Sequence, residues 1–249
     1  MSGHSKWSSI KHKKATVDAR RGKLFTKLIR ELTSAARAGG GDPNANPRLR
    51  TAVLTAKTAN MPADTIQRAI QKGTGDLGGE TYEEVVYEGY GVGGVAVFVD
   101  TLTDNKNRTV AEIRHIFAKH GGSMGESGCV AWMFQRRGLI TLNATQIEED
   151  DLLELVLEAG GDDVSMDGEV YEVLTTAEAF EEVRSTLEGR ELTLDMAEIT
   201  MLPQSTVHIE GKQAEQVLRL LEALDDQDDV RKAYANFDIS DEDMTAYTV

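Results

Sequence analysis

The sequence predicts an α+β protein of several domains, in which a helical N-terminal part precedes segments of alternating strands and helices. Residues 1–75 show apolar positions at helical spacing, whereas the later residues alternate between strand and helix patterns. A glycine-rich stretch, TGDLGG at residues 74–79, separates the two parts. At 249 residues the chain is long enough for two or three domains, each with its own core.

Charge divides the chain at the same place. Residues 1–75 contain 15 Lys and Arg but 4 Asp and Glu, a net charge of +11, whereas residues 76–249 contain 12 and 38, a net charge of -26. Together they give the formal net charge of -15. A separation of this size indicates a basic part that binds nucleic acid or a membrane surface, attached to an acidic body.

Cysteine content and hydropathy exclude several classes of protein. Cys129 is the single cysteine, which rules out a disulfide framework and a cysteine-based zinc site and favours a reducing compartment. The basic N-terminus is not followed by the apolar run of a signal peptide, and no stretch of about 18 apolar residues occurs. We therefore expect a soluble cytoplasmic protein without a membrane partner.

Three helices are predicted in the N-terminal part. The first covers residues 15–38 and ends at a run of three glycines followed by Pro43. The second covers residues 47–59 and the third residues 62–73, each beginning at a proline, a residue that favours the first helical turn. These helices predict a small helical domain over residues 1–78.

Strand and helix patterns alternate in the remainder of the chain. The expected elements are strand 84–88, strand 95–102, helix 107–119 and strand 129–134; then strand 139–142, helix 148–158, strands 163–166 and 169–174, helix 177–187 and strand 192–201; and finally strand 206–209, helix 214–224 and strand 230–237. The middle group has the order βαββαβ, and the last group completes the half begun at residue 95. This order predicts two ferredoxin-like α+β domains, one of residues 79–136 plus 203–249 and the other, residues 137–202, inserted into it.

Cations follow one side of the first helix. On a helical wheel Arg20, Lys27, Arg30 and Arg37 fall within about 60° of Lys23, while the apolar residues occupy the opposite half. A merely solvated helix usually mixes charges of both signs, but Glu31 is the one acid between residues 19 and 41. We therefore expect this stripe to face phosphates. The predicted nucleic-acid-contacting residues are Lys6, Trp7, Lys11, Lys13, Lys14, Arg20, Lys23, Lys27, Arg30, Arg37, Arg48 and Arg50; Lys57, Arg68 and Lys72 would widen the surface.

Residues 1–14 have little apolar content and are expected to settle along a phosphate backbone. Trp7 has two interpretations, stacking on a base or folding back on the helices. Lys106 and Arg108 are secondary contact candidates, because they stand in a helix-capping segment of an otherwise acidic domain. Capping and nucleic-acid contact both remain open for this segment.

Other motifs indicate no catalytic, metal or cofactor site. The five histidines are scattered, and the glycines of residues 89–94 join two strands without the Lys-Ser/Thr of a phosphate loop. The carboxylates of residues 148–151 open a helix, where they favour the positive end of its dipole. The acidic run at residues 225–229 is expected to be a solvated loop; in the alternative interpretation, the acidic domains repel nucleic acid and so confine its contact to the head. We therefore expect a protein that is not an enzyme.

Five stretches carry a resemblance to a known family: GHSKWSSIKHKKATVDARRGKLFTKLIREL, AARAGGGDPNANPRLRTAV, AKTANMPADTIQRAIQKGTG, YEGYGVGGVAVFVDTLTDNKNRT and FAKHGGSMGESGCVAWMF. They resemble the YebC/PmpR family, which also includes mitochondrial translational activators. The resemblance implies a three-domain cytoplasmic DNA-binding transcriptional regulator. A ribosome- or rRNA-associated translation factor is the alternative, and a small-molecule sensor, suggested by fold analogy, is a more remote one. Target sequence and oligomeric state are left open.

Overall fold

The computed structural model describes residues 18–75, 77, 81–240 and 247. Its helical head contains α1 (Asp18–Gly39), α2 (Pro47–Thr58) and α3 (Ala63–Thr74), which confirms the three expected helices within these ranges. Leu28, Leu32, Leu49, Ile66 and Ile70 lie in its apolar core. The packing of α1 against both other helices makes the head one compact unit.

Asn46 fixes the turn between α1 and α2. Its side-chain oxygen accepts from the Leu49 N–H at 3.1 Å and so caps α2. Its amide nitrogen donates to the carbonyls of Ala35 and Gly40 at 2.8 and 2.9 Å. One buried side chain therefore satisfies the end of one helix and the start of the next.

The first α+β domain is a four-stranded antiparallel sheet with two helices on one face. Its elements are β1 (Glu83–Tyr90), β2 (Ala96–Thr103), α4 (Lys106–Lys119), β3 (Ser123–Met124), α7 (Gly211–Asp225) and β9 (Val230–Ala235). The strand order is β3-β1-β2-β9. Ile113 and Phe117 of α4 and Leu218 and Leu221 of α7 share one core with the inward side chains of β2, so both helices cover the same face.

Two strands predicted for this domain are absent from its four-stranded sheet. Residues 129–133 do not form a strand, because a short 3₁₀ turn occupies Ala131–Met133, and Phe134 begins the following strand, Phe134–Asn143. The buried carboxylate of Glu88 accepts the backbone N–H groups of Gly128, Val130 and Ala131 at 2.6 to 2.7 Å, so a strand partner cannot take them. The predicted strand 206–209 shortens to β8 (Val207–His208) and pairs in parallel with β10 (Phe237–Asp238), outside the four-stranded sheet. The sheet is built instead from the central hairpin β1–β2, with β3 and β9 at its two edges.

The second α+β unit is inserted between β3 and β8. It contains β4 (Phe134–Asn143), α5 (Glu149–Glu158), β5 (Asp163–Asp167), β6 (Val170–Thr176), α6 (Phe180–Gly189) and β7 (Leu194–Pro203). Its strand order is β5-β6-β4-β7 with antiparallel pairs, the arrangement of a βαββαβ ferredoxin-like unit. The α+β class predicted from the sequence is confirmed.

A cluster of aromatic and apolar side chains joins the two sheets. The ring of Phe98 in the first sheet lies 5.9 Å, between centroids, from the ring of Phe134 and also 5.9 Å from the ring of Tyr234. All three belong to one apolar cluster. Lys232 of β9 also forms an ion pair with Glu198 of β7 at 2.5 Å. The inserted unit is therefore packed against the back of the first sheet and away from α4 and α7.

Candidate nucleic-acid interface

The face of α1 that carries Lys23, Lys27 and Arg30 lies against residues 225–229, which we call the acidic segment. Lys23 Nζ donates to the Asp226 carbonyl at 3.2 Å and lies 3.4 Å from the carboxylate of the same residue. Lys27 donates to the carbonyl of Asp225 and Arg30 to that of Asp228. In this conformation each of these three cations therefore already has an oxygen partner in the acidic segment, and their contact with phosphate stays a prediction.

These contacts follow from how α7 ends. Its last turn has no basic residue, and the final carbonyls of any helix lack partners inside the helix. The same end carries the negative pole of the helix dipole, which favours cations. The lysines of α1 supply both charge and donors, so the head caps a helix of the acidic body.

The most buried ion pair of this junction joins Arg30 to Asp229 at 2.7 Å, and the Asp229 side chain is 1% exposed. Arg108 and Thr109 also donate to Asp229, at 2.9 and 2.6 Å. Burial works to raise the pKa of Asp229, but the hydrogen bonds from Thr109 and Arg108 and the charges of Arg30 and Arg108 outweigh it and hold the pKa below its usual range. The expected solvated loop thus contains a buried ionised anchor, which is a correction.

A second charge cluster joins the head to the strands. Arg48 contacts Glu31 at 2.7 Å and Glu84 at 2.5 Å. Arg231 of β9 contacts Glu31 and Glu84 at 3.1 Å each and Asp100 at 2.8 Å. Arg48, predicted to contact nucleic acid, is therefore committed to the domain junction.

The same cluster shifts the pKa of its carboxylates in different directions. Burial works to raise the pKa of Glu31, yet the hydrogen bond from Arg48 and the charge of Arg231 lower it. For Asp100 burial prevails over the hydrogen bond and charge of Arg231, and the pKa lies above its usual range. Glu31 is thus held as an anion between two guanidinium groups.

The secondary candidates Lys106 and Arg108 are also paired with carboxylates. Lys106 lies 2.5 Å from Glu83, and Arg108 lies 2.7 Å from Asp104 in addition to its contact with Asp229. The side chain of Asn105 caps α4 by accepting the Arg108 N–H at 3.1 Å. These contacts favour the capping interpretation of this segment.

The remaining predicted contacts are distributed differently. Arg37 donates to the Thr81 hydroxyl, and Arg50 donates to the carbonyls of Pro43 and Asn44 at 3.0 and 2.9 Å. Arg20 lies in α1, but its side chain is outside the described part of the structure. The N-terminal candidates lie outside the described residues altogether: Lys6, Trp7, Lys11, Lys13 and Lys14.

Five cations of the head are exposed and form no ion pair with a carboxylate within the described ranges. We call them the outer cations: Arg37, Arg50, Lys57, Arg68 and Lys72. The helix α2 that carries two of them has no acidic residue. A surface of this kind can neutralise phosphates without breaking an existing ion pair.

Sequence reasoning missed the junction residues Glu31, Asp229 and Arg231 as a group. A signal was present in Glu31, the lone acid of a basic helix, because a buried partner explains its position better than a solvated face does. Arg231 and Asp229 gave no local signal, since Asp229 ends a run of acids and Arg231 begins a pair of cations shortly after it. Their roles depend on contacts with the head.

The junction leaves an open cleft of about 510 Å³. Its lining combines cations and carboxylates: Lys23, Arg30, Arg108, Glu112, Asp226, Gln227, Asp228 and Asp229. Because groups of both charges line it, the cleft shows no clear preference for an anionic or a cationic small molecule. It admits water to the Lys23 end of the junction.

Within the described ranges, no three or more His, Cys, Asp and Glu side chains are grouped so that they could hold a metal ion. No helix in the same ranges has the length and apolar composition needed to cross a membrane. The expectations of no cofactor and no catalysis for the whole chain stay predictions.

The chain is similar to two family models, to several named relatives and to a solved structure. One family model, "TACO1/YebC protein N-terminal domain", matches residues 5–76, and another, "TACO1/YebC second and third domain", matches residues 82–237. A relative from Desulfosudis oleivorans named "Probable transcriptional regulatory protein" is 60% identical over 241 residues, covering 97% of this chain and 98% of the relative. A relative of the same description from Geobacter sulfurreducens is 58% identical over 244 residues, covering 98% of both chains. The crystal structure of a conserved hypothetical protein from Aquifex aeolicus is similar with a TM-score of 0.81 and 52% identity, covering 93% of this chain and 96% of that one.

Proposed function

The chain belongs to the TACO1/YebC family, and from this premise we propose that it is a cytoplasmic DNA-binding regulator of transcription that acts without catalysis. The names of its close relatives support a regulatory role, since they are called probable transcriptional regulatory proteins. The charge of the head supports nucleic acid as the partner. Within residues 18–75 the head has 11 basic and 4 acidic residues.

The set of outer cations carries this proposal. The paired cations of the head already donate to carbonyls or carboxylates of the body, so nucleic acid would have to replace those contacts to bind them. The outer cations have no such carboxylate partners within the described residues, and they are exposed on three helices. Cations in this state bind phosphate with release of the condensed counterions, which is the main source of affinity for nucleic acid.

The absence of catalysis is part of the proposal. Among the described residues, the carboxylates with a shifted pKa face guanidinium groups at the domain junction: Glu31, Glu84, Asp100 and Asp229. A shifted pKa at a structural ion pair has an explanation that needs no substrate. These groups are therefore better understood as fixing the head on the body.

Charge reversal on α3 tests the proposal. The variant Arg68→Glu/Lys72→Glu removes two outer cations whose side chains have no described structural bond. We expect its affinity for a mixed-sequence DNA duplex to fall by about tenfold or more, and the slope of log K against log salt to shrink by about 0.9 for each lost contact. Electrophoretic mobility shift or fluorescence anisotropy at several salt concentrations measures both quantities.

The matched control is Arg190→Glu/Lys212→Glu, which makes the same charge change at exposed positions of the acidic body. An equal loss of affinity in the control would show a general charge effect and contradict binding through the head.

Crosslinking in cells followed by sequencing of the attached nucleic acid distinguishes DNA from ribosomal RNA as the ligand. A majority of ribosomal RNA would replace the transcriptional proposal with the translational one.

A further inference from the structure

Lys23, Lys27 and Arg30 contact oxygen atoms of the acidic segment, the kind of acceptor that a phosphate also offers. The three cations are spaced i, i+4 and i+7 along α1 and therefore lie on one side of the helix. Each donates to a main-chain carbonyl of the acidic segment, and Asp226 and Asp229 add carboxylates. This face of α1 is thus covered by the acidic segment of the same chain.

We propose that the acidic segment is an intramolecular competitor for nucleic acid, which must displace residues 225–228 before it can engage the face of α1. This inference rests on the proposed function, because it adds a regulated surface to the one formed by the outer cations. While the acidic segment lies on α1, nucleic acid reaches the outer cations but not Lys23 or Lys27. After displacement it also gains Lys23 and Lys27.

The contacts between α1 and the acidic segment are weaker at one end of α1 than at the other, which allows nucleic acid to displace the segment from that end. Lys23 and Asp226 are 47% and 53% exposed and lie beside the open cleft, so water and salt screen their attraction. Arg30 and Asp229 are 16% and 1% exposed, and that pair is reinforced by Arg108 and Thr109. The Lys23 end is therefore the weak one. Displacement starts there, while Arg30 and Asp229 keep the head attached to the body.

The acidic segment hinders nucleic acid in two ways. It occupies the donors of α1, and its exposed carboxylates at Asp226 and Asp228 repel phosphates that approach the same face. Neutralising these two side chains removes this repulsion and also the attraction between Lys23 and the Asp226 carboxylate. Their main-chain carbonyls, which accept hydrogen bonds from Lys23 and Arg30, stay in place.

The variant Asp226→Asn/Asp228→Asn tests the proposal in the full chain. Its control is Glu154→Gln/Glu158→Gln, which removes two negative charges from exposed positions of α5 in the inserted domain. At the same salt concentration, we expect the first variant to bind a mixed-sequence DNA duplex about fivefold more tightly than the control variant does. A change of this size corresponds to the loss of a competing ion pair between exposed groups.

A second comparison shows whether the lysines gain access. Lys23→Gln/Lys27→Gln is introduced into the wild type and into Asp226→Asn/Asp228→Asn. We expect the lysine substitutions to weaken binding by several-fold more in the neutralised background than in the wild type. Hydrogen exchange in the wild type should also rise at residues 225–228 on addition of the duplex.

The outcomes separate this inference from the function on which it rests. Tightening no greater than that of the control, equal costs of the lysine substitutions in both backgrounds, or unchanged exchange at residues 225–228 would each overturn the competitor. If those results came with a loss of binding in Arg68→Glu/Lys72→Glu, the proposed function would stand alone. If neither the wild type nor the neutralised variant bound DNA or RNA at low salt, both proposals would fail.

Discussion

At the scale of single residues, Asp229 has the largest role in the junction. Its carboxylate receives donors from α1 and α4, and its main-chain carbonyl accepts the Leu102 N–H at 2.8 Å. A buried charge is tolerated when opposite charges and hydrogen bonds surround it, and its removal leaves those partners unpaired. Asp229 is therefore a structural residue, whereas the nearby Asp226 and Asp228 are exposed.

The variant Asp229→Asn should lower the free energy of unfolding by about 3 kcal/mol, because Arg30 and Arg108 lose their shared anion while the site stays buried. Asp228→Asn is the control, since its side chain is exposed and its loss should cost about 0.5 kcal/mol or less. Urea unfolding followed by circular dichroism measures both. Equal effects at the two positions would contradict the role given to Asp229.

At the scale of elements, most helices and strands could be predicted because local signals mark their ends. α1 ends at the glycine run, and the βαββαβ order of the inserted domain follows from the alternation of patterns. The predicted strand 129–134 failed because its backbone donors turn to the carboxylate of Glu88, about 40 positions earlier in the sequence. A pattern of apolar and small residues cannot reveal that competitor.

The crossing of α1 and α3 gives a test at this scale. A Cβ atom added to Gly73 would lie 2.4 Å from the carbonyl oxygen of Thr33 and 2.7 Å from the Cβ of Ala36, distances that force the helices apart. We expect Gly73→Ala to lower the free energy of unfolding by about 2 kcal/mol, as for overpacked cores. Thermal or urea unfolding measures the change.

Gly22 provides the matched control, because it lies within α1 and an added Cβ would meet nothing within 4 Å. Gly22→Ala should raise the free energy of unfolding by about 0.5 to 1 kcal/mol, since alanine loses less backbone entropy in a helix. A loss at both positions would indicate that the helical head tolerates no added methyl group, and the argument from the crossing would be wrong.

At the scale of the whole molecule, the separation of charge predicted from the sequence is used partly inside the fold. The basic stripe of α1 was visible from the sequence, but its partners were not, because Lys23 and Asp226 are 203 positions apart. Only the folded arrangement of α7, β9 and the head brings them together. Among the described residues of the head, the outer cations are exposed and form no ion pair with a carboxylate.

This use of charge makes the docking of the head depend on pH, with a sign that the pKa shifts determine. Asp229, Glu31 and Glu84 have a pKa below the usual range in the folded protein. Their contribution to stability is therefore complete above their unfolded pKa of about 4 and is lost as the pH falls through the lower folded values. Asp100 acts in the opposite direction, because its raised pKa favours proton uptake by the folded state.

Comparing the wild type with Asp229→Asn isolates this dependence from the general repulsion of an acidic protein, which also changes with pH. Near pH 6 the two proteins should differ by the full cost of the substitution. Below about pH 4 the difference in unfolding free energy should narrow, because the wild-type carboxyl becomes neutral as the amide already is. Urea unfolding of both proteins between those values measures it. A difference that stayed constant down to pH 3 would mean that ionised Asp229 does not hold the head on the body.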